Sequence, residues 1–263
     1  MAHVVALYRY PVKSFTPESR DSLTILPDGR VAGDRVLGFR FADTPEPDDT
    51  WSRKHGMLAL MHTPGVARLR LSFDDAAQRL KISLDGALLV EDALDQAGRR
   101  RICDAVAAYA AKLDEGGVKG RPERLPLRLI GDGRTPRYHD RPDGYVTLHS
   151  RASLSALAGA LEDPDVSELR FRSNVAIEGV DAWEEQSWVG KTLRIGSMRF
   201  RGHAPVVRCL ATQASPETGE RDRQILTTLT RSFGQENPTF AIALVPEGAG
   251  EIRLGDEVMA EGS

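Results

Sequence analysis

The feature that most restricts the fold is a succession of short, apolar-alternating segments, each stopped by a glycine or proline turn. Val4, Ala6, Tyr8 and Tyr10 alternate with polar positions up to Pro11, which predicts a first strand. Leu23–Leu26 ends at Pro27-Asp28-Gly29, and Gly38-Phe39-Arg40-Phe41 repeats the pattern. Leu58–Met61, Ala67–Phe73, Leu80–Leu84 and Leu88–Val90 read as successive strands, with Asp85-Gly86 as a hairpin-type turn. With 24 Gly and 15 Pro in 263 residues, a turn-rich β meander is the expectation for this half.

The period then changes. From about Asp95, Ile102, Val106, Tyr109 and Leu113 recur at helical spacing until Gly116-Gly117. Leu127–Ile130 and Val146–Ser150 read as strands on either side of a polar loop, Gly131–Gly144, that carries Arg134, Arg137, Tyr138, His139 and Arg141 and is expected to be solvated. Leu154, Leu157, Ala158 and Leu161 predict a second helix capped by Ser150 or Ser153, whose first N–H groups suit a phosphate. Leu169–Ile177 alternates like a half-buried strand, and two strand halves flank Gly196-Ser197. Ile225, Leu226, Leu229 and Phe233 predict a helix capped by Asp222, and Phe240–Val245 a closing strand. The fold class is therefore α+β and β-rich.

Composition excludes some functions. A formal charge of −3 gives no general attraction to nucleic acid or anionic membrane, so any anion site must be local. The N-terminus shows no leader pattern and no stretch has the length of a membrane span, so a soluble, cytoplasmic protein is expected. Two cysteines, Cys103 and Cys209, cannot build a four-thiolate cluster or a zinc site alone. Cys103 falls on or beside the apolar stripe of the first helix, where burial as a small hydrophobe is expected.

Cys209 lies in Ala204–Glu220, near the end of a strand-like run and before the Ser215–Gly219 loop. A thiol there is an inert buried group, a nucleophile or a soft metal ligand, and the stretch alone favours the inert reading. A cysteine hydrolase pairing Cys209 with His203 gains nothing from a six-residue spacing. Lys13 and Ser14 have groups suited to phosphate oxygens, yet spacing alone favours a solvated lysine.

Arg208-Cys209, Thr212 and Pro216-Glu217-Thr218-Gly219-Glu220 resemble the cysteine motif of MOSC domains, modules named for the C-terminus of molybdenum cofactor sulfurase. Tyr10-Pro11-Val12-Lys13-Ser14 with Gly33-Asp34-Arg35 resembles the N-terminal domain that accompanies them. Arg170-Phe171-Arg172-Ser173-Asn174 resembles the family's RFRPN block with serine in place of proline, and Trp183-Glu184-Glu185, Trp188-Val189-Gly190 and Gly250–Val258 resemble later blocks. The resemblance is to two-part MOSC proteins, a group that includes amidoxime-reducing proteins. It implies a β-barrel-like MOSC core over residues 96–263, opening with a connecting helix at about 96–115, and a smaller β-rich domain over 1–95.

It also implies a molybdenum–pterin cofactor (molybdopterin) with Cys209 as metal ligand and catalytic residue. Lys13, Ser14, Arg35, Ser150, Arg172, Asn174 and Arg208 would bind the organic part, with Arg208 directed either to the pterin end or to loop backbone. The implied activity is reduction of small N-oxygenated molecules, with electrons from a separate ferredoxin or flavin reductase. The alternatives are a sulfur carrier using a Cys209 persulfide, and a non-catalytic module that stores or delivers the cofactor.

Overall fold

In a computed structural model, residues 1–51 and 54–261 are described. The first part of the chain runs β1 (Ala2–Arg9), β2 (Glu18–Arg20), β3 (Ser22–Ile25), β4 (Gly38–Arg40), β5 (Leu69–Asp74), β6 (Arg79–Leu84), β7 (Ala87–Ala93), α1 (Gln96–Ala110) and β8 (Arg128–Ile130). The second runs β9 (Val146–Ser150), α2 (Arg151–Ala160), β10 (Val175–Glu178), β11 (Thr192–Ile195), β12 (Met198–Val207), α3 (Ile225–Ser232), β13 (Thr239–Pro246), β14 (Gly250–Arg253) and β15 (Glu257–Glu261).

Seven strands close a barrel in the order β10-β9-β13-β12-β11-β15-β1, because β1 pairs with both β15 and β10. Closure removes the free edges that a β sheet otherwise exposes. The barrel interior is aliphatic: Val4, Leu7, Val146, Leu148, Val175, Ile177, Leu193, Ile195, Ile242 and Leu244 are all buried there. A second core packs the β5-β6-β7 meander and the β4-β8 pair against the apolar face of α1, with Phe15, Phe39, Phe73, Ile102 and Val106 among its members. Against the division expected at residue 95, the barrel core takes β1 and β3 from the first segment, and the second core takes α1 and β8 from the other.

Local chemistry explains several elements. Asp95 caps α1 by accepting the Gly98 N–H at 2.7 Å, and Ser150 caps α2 by accepting that of Ser153 at 3.0 Å. Asp85 and Gly86 both take positive φ, the condition for the tight turn between β6 and β7. Cys103 is buried in α1 and its thiol is pushed up to about 11 by that burial, so it is a packing residue.

Four expectations need correction. Leu58–Met61 is not a strand: Leu58, Ala59 and Leu60 are buried, but the Ala59 carbonyl accepts from His62 and Thr63 and turns the chain. Ala67 and Arg68 close the 3-10 turn Pro64–Arg68, and the strand starts at Leu69. Leu169–Ile177 is not one strand: a 3-10 turn over Glu168–Phe171 ends in a left-handed Arg172, and only Val175 onward is extended. Asp222 does not cap α3, since its carboxylate receives Arg170 at 2.8 Å and the cap position falls on Gln224.

Candidate functional site

β12 brings Cys209 to a cleft between the barrel and the second core. Its pairing with β13 slips twice, between Gly202 and Ala204 and between Pro205 and Val207, and it ends at Val207. Such slips re-aim side chains. The Arg208 guanidinium then turns to backbone, donating to Phe240 O through Nε at 2.7 Å and to Phe171 O at 2.8 Å. Of the two directions open to Arg208, it takes the one toward main chain. Burial holds it down at about 10, still charged at neutral pH. Cys209 follows, half-buried, and its carbonyl accepts from the Thr212 N–H and hydroxyl, both at 3.0 Å.

The cleft has a cavity volume of about 210 Å³. Among the described residues it is lined by seven cationic side chains, Lys13, Arg35, Lys54, Arg141, Arg170, Arg172 and Arg208, against one carboxylate, Asp140. Lys13 is buried rather than solvated, with Nζ donating to Tyr138 O at 2.9 Å and to Asp140 Oδ1 at 2.6 Å. Burial pulls its pKa down while Asp140 opposes the shift. Lys13 in turn holds the Asp140 carboxyl, which opens onto the cleft, below the usual carboxylate range.

Arg35 and Arg172 crowd together. Each guanidinium carbon lies 4.4 Å from the centre of the Tyr10 ring, a favourable cation–π arrangement for each but a repulsive one for the pair. Arg35 Nη2 donates to Arg172 O at 3.1 Å, and Arg172 Nη1 to Phe15 O at 2.5 Å. Burial, and then the charge of Arg35, lower Arg172 to about 10. Fully buried Asp34 balances part of this charge. It binds Arg35, lies 3.2 Å from His139 Nε2 and accepts the Tyr10 N–H at 2.7 Å. Burial works against its ionisation, but Arg35 and His139 win and hold it at about 2. Two like charges kept together beside a cavity mark a place for an anion.

The backbone supports the same conclusion. Of eight non-glycine residues with left-handed φ among the described residues, three line this cleft: Ser14 at +73°, Arg35 at +49° and Arg172 at +53°. Each such residue costs on the order of 1 kcal/mol, and backbone strain of this kind gathers at functional sites. Ser173, next to Arg172, is buried with its carbonyl accepting from the Tyr10 hydroxyl at 3.2 Å.

The structure thus brings Lys13, Ser14, Arg35, Arg172, Asn174, Arg208 and Cys209 to one cleft. Asn174 lies there with its amide engaged: Nδ2 donates to Tyr8 O and Oδ1 accepts from Thr147, each at 3.2 Å. Ser150 does not reach it. Its hydroxyl is buried at the start of α2 between Ser153 and the Glu185 carboxylate. The residues that sequence reasoning passed over are Tyr10, Asp34, His139 and Asp140, the last two in the loop expected to be solvated. His139 is in fact 7% exposed. The available signal was the need of a buried Lys13 for a counter-ion.

Fold and cleft together define a β-barrel protein with a cation-lined groove that reaches a thiol. Comparison with known proteins makes this specific: residues 135–259 match the MOSC domain profile. The human protein named mitochondrial amidoxime reducing component 2 is 32% identical over 161 residues, covering 57% of this chain and 47% of that protein. The Drosophila ananassae protein named molybdenum cofactor sulfurase is 34% identical over 118 residues, covering 43% of this chain and 15% of that one. The chain spans less than half the length of either relative. Among solved structures, the YUAD protein of Bacillus subtilis superposes over 98% of this chain and 93% of its own, with 13% identity and a TM-score of 0.44.

Among the described residues, no group of three or more His, Cys, Asp or Glu side chains could hold a metal ion, and no helix is long and apolar enough to cross a membrane. A metal at Cys209 would therefore bring most of its ligands with it. One soft sulfur and a set of cations for an anionic tail fit a metal carried on a phosphorylated organic ligand.

Proposed function

We propose that the protein binds a molybdenum–pterin cofactor and reduces small N-oxygenated molecules. The observation that carries this reading is the meeting of the Cys209 thiol with Lys13, Arg35 and Arg172 on one cleft. Lys13 and the two arginines would receive the phosphate, the arginines through paired N–H donors. Ser14, held in a left-handed turn beside Lys13, adds a neutral donor. Cys209 would anchor the metal as thiolate. When bound, the cofactor supplies an electron pair and a position for the substrate oxygen. Reduction of an N–OH group to N–H releases water and consumes two electrons and two protons. The electrons come from a separate donor protein such as a ferredoxin or flavin reductase.

The sulfurase relative motivates a second reading, a sulfur carrier with a Cys209 persulfide. One feature favours it: Val207 and Leu210, which flank Cys209 by one or two residues, are 54% and 44% exposed, leaving the thiol segment open to a partner. One preparation separates the two readings and the third, storage or delivery of the cofactor. Retained molybdenum and pterin, with dithionite-driven reduction of a hydroxylamine, supports the reductase. Cyanide-labile sulfur on Cys209 without molybdenum supports the carrier, and bound metal without turnover supports storage. Cys209→Ser is expected to lose molybdenum while melting like the parent protein. A Cys209→Ser protein that keeps its metal and its turnover would refute the anchoring role.

A further inference from the structure

The chain changes partners at Cys209. Before it, β12 is a barrel strand as far as Val207, and the Arg208 side chain is held by the carbonyls of Phe240 in β13 and of Phe171. The residues after it pack elsewhere: Ala214 is buried in the second core and Ala211 lies against that core. Cys209 is therefore the span between the two, on the cleft that runs between them.

Arg221 holds the far end of that span. Its Nη1 donates to the carbonyl of Leu210, the residue after the thiol, and its Nη2 to the carbonyl of Met61, both at 2.7 Å. Met61 lines the cleft and follows Leu60, a member of the second core. The Glu115 carboxylate, beyond the end of α1, accepts from Nε at 3.0 Å and from Nη2 at 2.6 Å, so every nitrogen of the guanidinium is engaged.

The arm that brings Arg221 back to Leu210 is itself braced. The Ser215 N–H donates to Glu220 O at 2.8 Å and the Gly219 N–H to Ser215 O at 2.9 Å, while the Ser215 hydroxyl accepts from the N–H groups of Glu217 and Thr218. Gly219, at φ +71°, lies flat on the turn Pro64–Arg68, where an added Cβ would stand 2.7 Å from the Gly65 Cα. A planar fork that bridges two carbonyls and a carboxylate from such an arm fixes direction as well as distance.

We propose that Arg221 is a positioning residue for Cys209: by binding the Leu210 carbonyl it fixes the thiol segment to the second core, so that the two walls of the cleft set the pose of the thiol together. This builds on the reading of Cys209 as the working group of the cleft and concerns how that group is held.

The test treats metal-free protein with iodoacetamide and follows each cysteine by peptide mass spectrometry. Cys103, buried in α1, reports general loosening in the same sample. Arg221→Ala is expected to alkylate at Cys209 roughly tenfold faster than the parent, a local opening, with Cys103 within about twofold. Arg221→Lys should fall between the two, since one ammonium cannot reproduce the fork. Glu115→Gln keeps both carbonyl bonds within reach but removes the charge that orients the guanidinium, and should give about a threefold rise. Arg199→Ala, which removes an arginine paired with Glu247 and Glu261 on the barrel, should match the parent. Unchanged or slower alkylation of Cys209 in folded Arg221→Ala overturns the positioning role. An equal rise at Cys103 also overturns it, because it marks lost overall stability. If Arg221→Ala does not fold, Glu115→Gln decides by the same two criteria. Elemental analysis of the parent is a separate readout: no molybdenum uptake with the alkylation difference intact removes the molybdenum reading and supports the positioning role alone.

Discussion

Asp34→Asn tests the electrostatics of the cleft without touching any group that faces the ligand. In the parent, the Asp34 carboxylate is buried with Arg35 on Oδ2, His139 Nε2 at 3.2 Å and the Tyr10 N–H on Oδ1 at 2.7 Å. Burial alone would raise its pKa; Arg35 and His139 overcome that and hold it at about 2, against 3.8 for an unperturbed aspartate. The difference corresponds to about 2 kcal/mol of folding stability. The sign follows from the direction of the shift. A carboxyl that is more acidic when folded contributes its full stabilisation above the unfolded pKa, near 4, and loses it as pH falls through the folded value, near 2. Asparagine keeps the shape and the acceptor for Tyr10 but removes the charge at every pH. For a domain of this size, about 2 kcal/mol lowers the melting temperature by roughly 4 to 8 °C. Calorimetry of parent and Asp34→Asn at pH 7 should show that gap, and a series down to pH 2 should show it closing. Equal melting temperatures at pH 7, or a gap independent of pH, would refute the claim that this charge organises Arg35 and His139.

Two further substitutions separate ligand contacts from scaffold. Arg172→Gln removes one of the two guanidinium groups over Tyr10 and should weaken phosphate binding several-fold, with a shallower salt dependence, measured by phosphorus NMR at two ionic strengths. Ser150→Ala should cost about 1 kcal/mol in urea unfolding through the lost α2 cap and leave phosphate affinity unchanged, because Ser150 lies outside the cleft.

Periodicity made the strands legible where one face is buried and the other wet. β5 and β6 follow their alternation, and α1 follows its three- and four-residue spacing; in β1 a slip between Val4 and Ala6 changes the phase, so Leu7 rather than Ala6 faces the core. It misled at Leu169–Ile177 because the residue types alternate there while burial does not: Arg170 and Phe171 are both buried in a 3-10 turn that ends at a left-handed Arg172. The cleft residues came from motif resemblance, since nothing in the spacing of Lys13, Arg35, Arg172 and Cys209 requires them to meet. Ser150 shows the limit of that resemblance: a serine at a helix start can cap the helix or bind an anion, and here Glu185 occupies the space a ligand would need. His139 and Asp140 were hidden for the opposite reason. A polar loop is usually solvated, and only the tertiary demand of buried Lys13 and Asp34 pulls this one inward.

The topology explains why the cations come from distant parts of the chain. β1 and β10 run antiparallel, Leu7 opposite Val175, so the end of β1 lies beside the start of β10. The Tyr8 N–H donates to Asn174 O at 2.8 Å, which fixes Tyr10, Lys13 and Ser14 just beyond β1 against Arg172 just before β10. Arg35 joins them through its own N–H, 2.7 Å from Tyr10 O. These contacts exist only when β1 occupies its place in the barrel, so closing the barrel and assembling the cation cluster are one structural event. A variant that loosens β1 should then lose anion affinity in proportion to lost protection of the β1 amides from hydrogen exchange, even with every cleft side chain intact.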